Sequence, residues 1–256
     1  MCKRMLIVAV VCALAGSVGA TTTAVWNPAA NPAGTGLWSE AANWTAGEVP
    51  DGDYKAVFNV PGAMDCKVAS TISIAQLVQG DNGPGGVIKV VSGGNLTSNG
   101  EWTGLGYNNT AHLIVETGGV FSATQHLWIG FTAGAMGILT LDGGTANIGN
   151  MFGLGWDGGT GNVVVNAGLL NLANWHPTDS IKAGSNMHIT GGTVKIVGNR
   201  VDSINTMIAN GRITGNNLVV NFDSLGNFTT IVPEPATIAF LSLGGLALLR
   251  VRTKKH

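Results

Sequence analysis

Between Lys89 and Lys182 the chain runs through 92 residues, Val90 to Ile181, without one lysine or arginine. Binding nucleic acid requires cations that displace phosphate counterions, so this stretch excludes nucleic acid as a partner and a nucleotide or phosphate site with it. Cysteine is nearly as scarce. Of three, Cys2 and Cys12 lie at the N-terminal end, in a segment with the features of a cleaved leader, which leaves Cys66 alone. No intramolecular disulfide is then available, and stability has to come from packing. A lone cysteine with no evident base beside it reads as a small buried residue rather than a reactive thiol.

What is present begins at the two ends. Residues 1–20, MCKRMLIVAVVCALAGSVGA, carry Lys3 and Arg4, then an apolar run, then the small residues Val18-Gly19-Ala20. This is the pattern of a secretory signal cut by signal peptidase between Ala20 and Thr21, and it predicts an exported chain. Val10 and Val11 stand where a lipoprotein signal requires small residues before Cys12, which argues against lipidation. At the other end, Pro233-Glu234-Pro235 precede an uncharged run from Ala236 to Leu249, and Arg250, Arg252, Lys254 and Lys255 follow. As a helix that run is about 21 Å long, short of a ~30 Å hydrocarbon core. Its apolar residues go all round the helix, and the basic flank belongs on the cytoplasmic side, leaving the body outside.

Val232-Pro233-Glu234-Pro235, the apolar segment with Gly244 and Gly245 in it, and the terminal Arg/Lys cluster resemble the PEP-CTERM sorting signal of Gram-negative bacteria, with Val251 and Thr253 interrupting the basic tail. The resemblance implies recognition by a membrane-embedded exosortase, cleavage near Pro233, Glu234 and Pro235, and a place at the cell surface in association with exopolysaccharide and biofilm. It covers about 24 residues and bears on destination only. Removing both ends leaves Thr21–Val232, with 7 basic and 13 acidic residues, a net charge near −6.

Internal repetition sets the expected fold. The segments starting at Gly85, Ala111, Gly137 and Gly161, and a looser copy from Asn186, each hold a short β-rich run, a turn on Gly94, Gly119, Gly144, Gly168 or Gly192, and a second run. A third element recurs as Leu105-Gly106-Tyr107, Ile129-Gly130-Phe131 and Leu154-Gly155-Trp156. Three short runs per 24 to 25 residues predict an all-β fold, a parallel β-solenoid (β-helix) in which each run stacks on its counterpart in the next coil. An all-β sandwich is the competitor, but its loops need not recur at a fixed period. Alternation predicts one inward ladder of Ile88/Val90, Leu113/Val115, Leu139/Leu141, Val163/Val165 and Met187/Ile189, with the turn after it one residue shorter from the third coil onward and Asn147 pointing outward. The expected organisation is 1–20 signal helix, 21–61 N-terminal cap, 62–228 solenoid and 229–256 sorting signal with a short hydrophobic helix. Within the cap, Trp38, Asn43-Trp44, Gly47, Pro50 and Phe58 resemble the opening segment of bacterial surface solenoids with autotransporter-associated repeats, which implies a cover over the first coil.

No catalytic residues, metal site or cofactor are expected. Gly153–Gly158 matches GxGxxG but no helix-period segment follows it, and the calcium-binding nonapeptide pattern fails at Val163. Glu101, Glu116, Asp142, Asp157 and Asp179 fall at different phases of the repeat, as do His112, His126, His176 and His188, which weighs against a polysaccharide hydrolase or lyase. Carbohydrate binding is the stronger alternative. Trp102, Tyr107, Trp128, Phe131, Trp156 and Trp175 recur along the coils, and Tyr107, Phe131 and Trp156 share a phase, so they form either a glycan-binding row or an aromatic ladder sealing a corner. The reading of the whole is an exported, surface-sorted structural or adhesive solenoid, with extracellular polysaccharide as partner, the signal peptidase and exosortase as transient partners, and the membrane engaged through the C-terminal helix before processing.

Overall fold

Every second residue of the repeated runs turns inward, and each run pairs in parallel with its counterpart one coil away, so the backbone hydrogen bonds of one coil are completed by the next. The computed structural model describes residues 21–32, 34–59, 65–176 and 180–234. They form a parallel β-solenoid of about six turns. The first face stacks Cys66–Val68, Val87–Val90, Thr110–Glu116, the first half of Met136–Ile148, the first half of Thr160–Leu172, Asn186–Ile189 and Ile213–Gly215. The second face stacks the start of Thr71–Gln79 with Asn95–Ser98, Val120–Ala123, the later halves of the two long strands, and Thr193–Val197. The third runs from Thr22–Val25 through Gly52–Phe58, the end of Thr71–Gln79, Trp102–Leu105 and His126–Ile129 to Phe152–Leu154.

The inward ladder has the expected composition. Ile88, Leu113, Leu139, Val163 and Met187 are stacked and fully buried, as are Val90, Val115, Leu141, Val165 and Ile189. Cys66 and Ile213 extend the first row at its two ends, and burial pushes the Cys66 thiol well above its ordinary pKa, which keeps it protonated. From Ile88 the row advances by 25, 26, 24, 24 and 26 residues. The first step of 26, from Leu113 to Leu139, leads into the turn that is one residue shorter, and in that turn the register slips so that Asp142 and Gly143 both oppose Glu116. Asp142 thus lies beside Glu116 in the ladder. These two carboxylates were expected at different phases; the register that sets Leu139 opposite Leu113 and Leu141 opposite Val115 continues one residue further and makes them neighbours on the outer surface, with the bulge following at Gly143.

The glycine of each aliphatic-glycine-aromatic triplet has a backbone reason. Gly106, Gly130 and Gly155 have φ of 67°, 67° and 70°, which L side chains rarely adopt. A Cβ on Gly130 would also lie 1.9 Å from the carbonyl oxygen of Thr160 in the next coil. Only a residue without a side chain lets the coils approach this closely.

At the N-terminal end Trp26, Trp38, Trp44 and Phe58 pack with ring centroids 4.7–5.7 Å apart, all essentially buried. The Trp38 indole N–H donates to the Pro50 carbonyl (3.2 Å) and that of Trp44 to the Trp38 carbonyl (2.8 Å). Glu40 accepts from the Thr35 hydroxyl and backbone N–H and from the Asn43 amide, and these bonds hold its pKa below the usual carboxylate value. The strand Gly52–Phe58 belongs to the third face, so this end is built into the solenoid.

The C-terminal end departs from the repeat. In place of a further third-face strand, the helix Val201–Ala209 follows Thr193–Val197, burying Ile204 and Met207. Leu218–Asp223 and Phe228–Pro233 then form an antiparallel hairpin whose second strand pairs antiparallel with Thr193–Val197. Pro233 is the final residue of a strand, opposite Leu218, and the Glu234 N–H donates to the Asn217 carbonyl at 3.0 Å. This strand also straddles the boundary expected at 228/229. Reversed strand direction denies a further parallel coil its template, which guards an otherwise open end against growth. The expected signal segment, residues 1–20, together with Pro235, the apolar run and Arg250, Arg252, Lys254 and Lys255, and the two terminal helices expected there, lie outside the described residues. No helix among the described residues is long and apolar enough to cross a membrane.

Candidate functional site

Because inward and outward positions alternate, the residues flanking the third face's buried Thr103, Leu127 and Phe152 point out. Trp102 and Trp128 occupy outward positions, while Gly104 and Gly153 occupy others, and the two kinds are complementary. A Cβ on Gly153 would stand 2.5 Å from two carbons of the Trp128 ring, and one on Gly104 would stand 3.2–3.4 Å from Trp102 and Tyr107. The missing side chains leave the space that the rings fill.

The result is one aromatic stripe running up three coils. Trp102 stacks on Tyr107 (4.9 Å, 21°), and Tyr107 on Phe131 (4.9 Å, 13°); Phe131 meets Trp128 (6.1 Å), and Trp128 meets Trp156 (4.5 Å, 43°). All five are half-buried. The Lys182 ammonium lies 4.9 Å from the centre of the Trp156 ring, a cation–π contact at the end of the stripe. Near-parallel stacking means Tyr107 and Phe131 cover part of each other's faces, so the arrangement is a ladder with outward edges more than a row of bare ring faces. Those edges carry the positive part of the aromatic quadrupole. Trp175, expected in the same set, is 2% exposed and belongs to the core.

A polar row follows the stripe one residue along. Asn108 donates to Asp81 (2.8 Å), the Thr132 hydroxyl donates to Asn108 Oδ1 (2.9 Å), and a backbone β-bridge sets Thr132 opposite Asp157 in the next coil. Sequence reasoning missed this row. Its signal was present, since Asn108, Thr132 and Asp157 each directly follow an aromatic of the triplet.

Apart from the neighbours Glu116 and Asp142, the remaining candidates are dispersed. His112 Nε2 meets Thr140 Oγ1 (2.9 Å), His188 Nδ1 meets Thr214 Oγ1 (2.9 Å), and His126 Nδ1 accepts the Met151 N–H (3.3 Å), so each bridges two coils. Glu101, Asp142 and Asp157 are exposed, and Asp179 lies outside the described residues. No group of three or more His, Cys, Asp or Glu able to hold a metal ion occurs among the described residues. Near the base of the first face Lys89 pairs with Asp65 at 2.6 Å, a surface pair whose stabilising effect is small.

Burial holds the His112 pKa below its ordinary 6.5, with Asp142 and Asp65 opposing the shift. The unfolded chain therefore binds this proton more readily than the folded one, and the His112 contribution to stability is complete above about pH 6.5 and declines as pH falls below it. Urea midpoints measured at about pH 5 and about pH 7.5 should differ less in His112→Gln than in the parent. An unchanged difference would show that the imidazole is not responsible. No family model, no curated protein and no solved structure matches this chain.

Proposed function

We propose that the protein is an exported, surface-sorted solenoid with a structural or adhesive role, and that the aromatic stripe with its polar row is the surface that meets extracellular polysaccharide. The stripe carries this reading. Aromatic and hydrogen-bonding groups recur side by side at coil spacing, an arrangement in which many weak contacts to one polymer add up. Tyr107, Phe131 and Trp156 are the glycan-binding residues of this proposal, joined by Trp102 and Trp128. Binding rather than turnover follows from the same layout, because contact with ring edges and hydrogen bonding require no acid and base poised across a scissile bond.

Destination rests on the two terminal segments. Signal peptidase separates Ala20 from Thr21, the tail holds the chain in the inner membrane through its apolar segment and the flanking Arg250, Arg252, Lys254 and Lys255, and an exosortase acts near Pro233-Glu234-Pro235. Replacing these three residues by alanine in the native host is expected to leave an uncleaved, membrane-retained form, whereas deleting residues 250–256 is expected to loosen membrane retention. Mass spectrometry and fractionation read both. Unchanged mass and location in the alanine variant would refute the sorting assignment.

A further inference from the structure

Resting on the glycan-binding reading of the stripe, we propose that its ligand is an uncharged polysaccharide lying along the solenoid axis, and not an acidic one. Direction comes from spacing. Rings and polar groups both step by one coil, roughly 4.8 Å, so a ligand touching more than one of them must extend along the stack. An extended glycan chain can do so, whereas a single sugar ring meets one or two steps only.

Charge comes from what flanks the rings. The polar row begins at Asp81 and ends at Asp157, and the amide and hydroxyl between them, Asn108 and Thr132, are neutral. The coils that carry the stripe lie within the lysine- and arginine-free stretch Val90–Ile181. At the far end Lys182 is placed over the Trp156 ring. A polyuronate would therefore bring its carboxylates against Asp81, Asp157 and a body of net charge near −6, with no row of cations to meet them.

Sugar hydroxyls fit the same groups. A carboxylate oxygen accepts from them, the second amide N–H of Asn108 donates to them, and the Tyr107 hydroxyl, which bonds to nothing among the described residues, does either. The outward ring edges, being positive, suit hydroxyl oxygens lying beside them.

The test is titration of the purified full chain with a soluble neutral β-glucan and, separately, with polygalacturonate, reading intrinsic tryptophan fluorescence at low and high salt. The neutral glucan should bind with little salt dependence and polygalacturonate should not bind at either salt. Tyr107→Ala should weaken glucan binding about tenfold, as should Asn108→Ala, which leaves the rings in place, while Val197→Thr on the second face should leave it unchanged. Binding of polygalacturonate as tight as that of glucan, and lost in Tyr107→Ala, would overturn the uncharged-ligand inference and keep the stripe as the site. Binding of neither polymer would overturn both.

Discussion

Leu139→Asp is expected to abolish cooperative folding or to lower the melting temperature far more than any outward substitution on the same coil. Leu139 is fully buried between Leu113 and Val163 in the aliphatic ladder. A carboxylate placed there must either ionise inside an apolar stack or stay protonated and unbonded, and each alternative costs several kcal/mol. No cation is at hand to rescue it. Lys89, two strands away, is aligned with Ile114 and Thr140 on the outer row of the same sheet, pointing away from the ladder. The natural control is Asn147→Ala. Asn147 does point outward, but it is half-buried and sits in a side-chain chain, donating to Ser122 (3.4 Å) and accepting from Asn171 (2.8 Å). Its loss should cost about 1 kcal/mol, more than an isolated surface amide and far less than Leu139→Asp. Thermal unfolding followed by circular dichroism compares the two, and equal midpoints would mean that the inward phase is misassigned.

Gly130→Ala should be nearly as damaging, for a different reason. Its positive φ costs an L residue about 1–2 kcal/mol. The larger effect is the contact, because the new Cβ would lie 1.9 Å from the Thr160 carbonyl oxygen and 2.3 Å from its carbon. Those atoms are backbone, locked in the parallel sheet by pairing with Met136, so relief requires two coils to separate. A total loss above about 4 kcal/mol is expected. Gly134→Ala isolates the conformational part, since Gly134 has φ of 82° and nothing within 4 Å of its would-be Cβ. Urea unfolding of the two variants should differ widely. Similar losses would show that close approach of the coils is not what requires glycine at position 130.

The fold class was legible because a solenoid writes its tertiary structure into local periodicity. Each coil contacts only its neighbours, so inward residues such as Leu113, Leu139 and Val163 recur at the coil period and alternate with outward ones in every run. The aliphatic-glycine-aromatic triplet was legible for the same reason, and it located three rings of the stripe. Illegible were the features that break the repeat or join different phases of it. The helix Val201–Ala209 and the reversed hairpin end the stack, and no earlier coil offers a pattern for either. Asp142 came beside Glu116 because the register that sets Leu141 opposite Val115 continues one residue further, although the two carboxylates stand at different distances from their turn glycines. Trp102 and Trp128 sit at other phases than Tyr107, Phe131 and Trp156; they join one stripe because Gly104 and Gly153, without side chains, let the rings lie across the sheet. Trp175 had the same composition as its supposed companions and went inside. Periodicity by itself determined which residues stack, since stacking is a nearest-neighbour property along the axis. How the rings lean, which turns close up and where the coil stops were decided by the tertiary structure, because they depend on the space left by residues that are neighbours in three dimensions and share no phase in the chain.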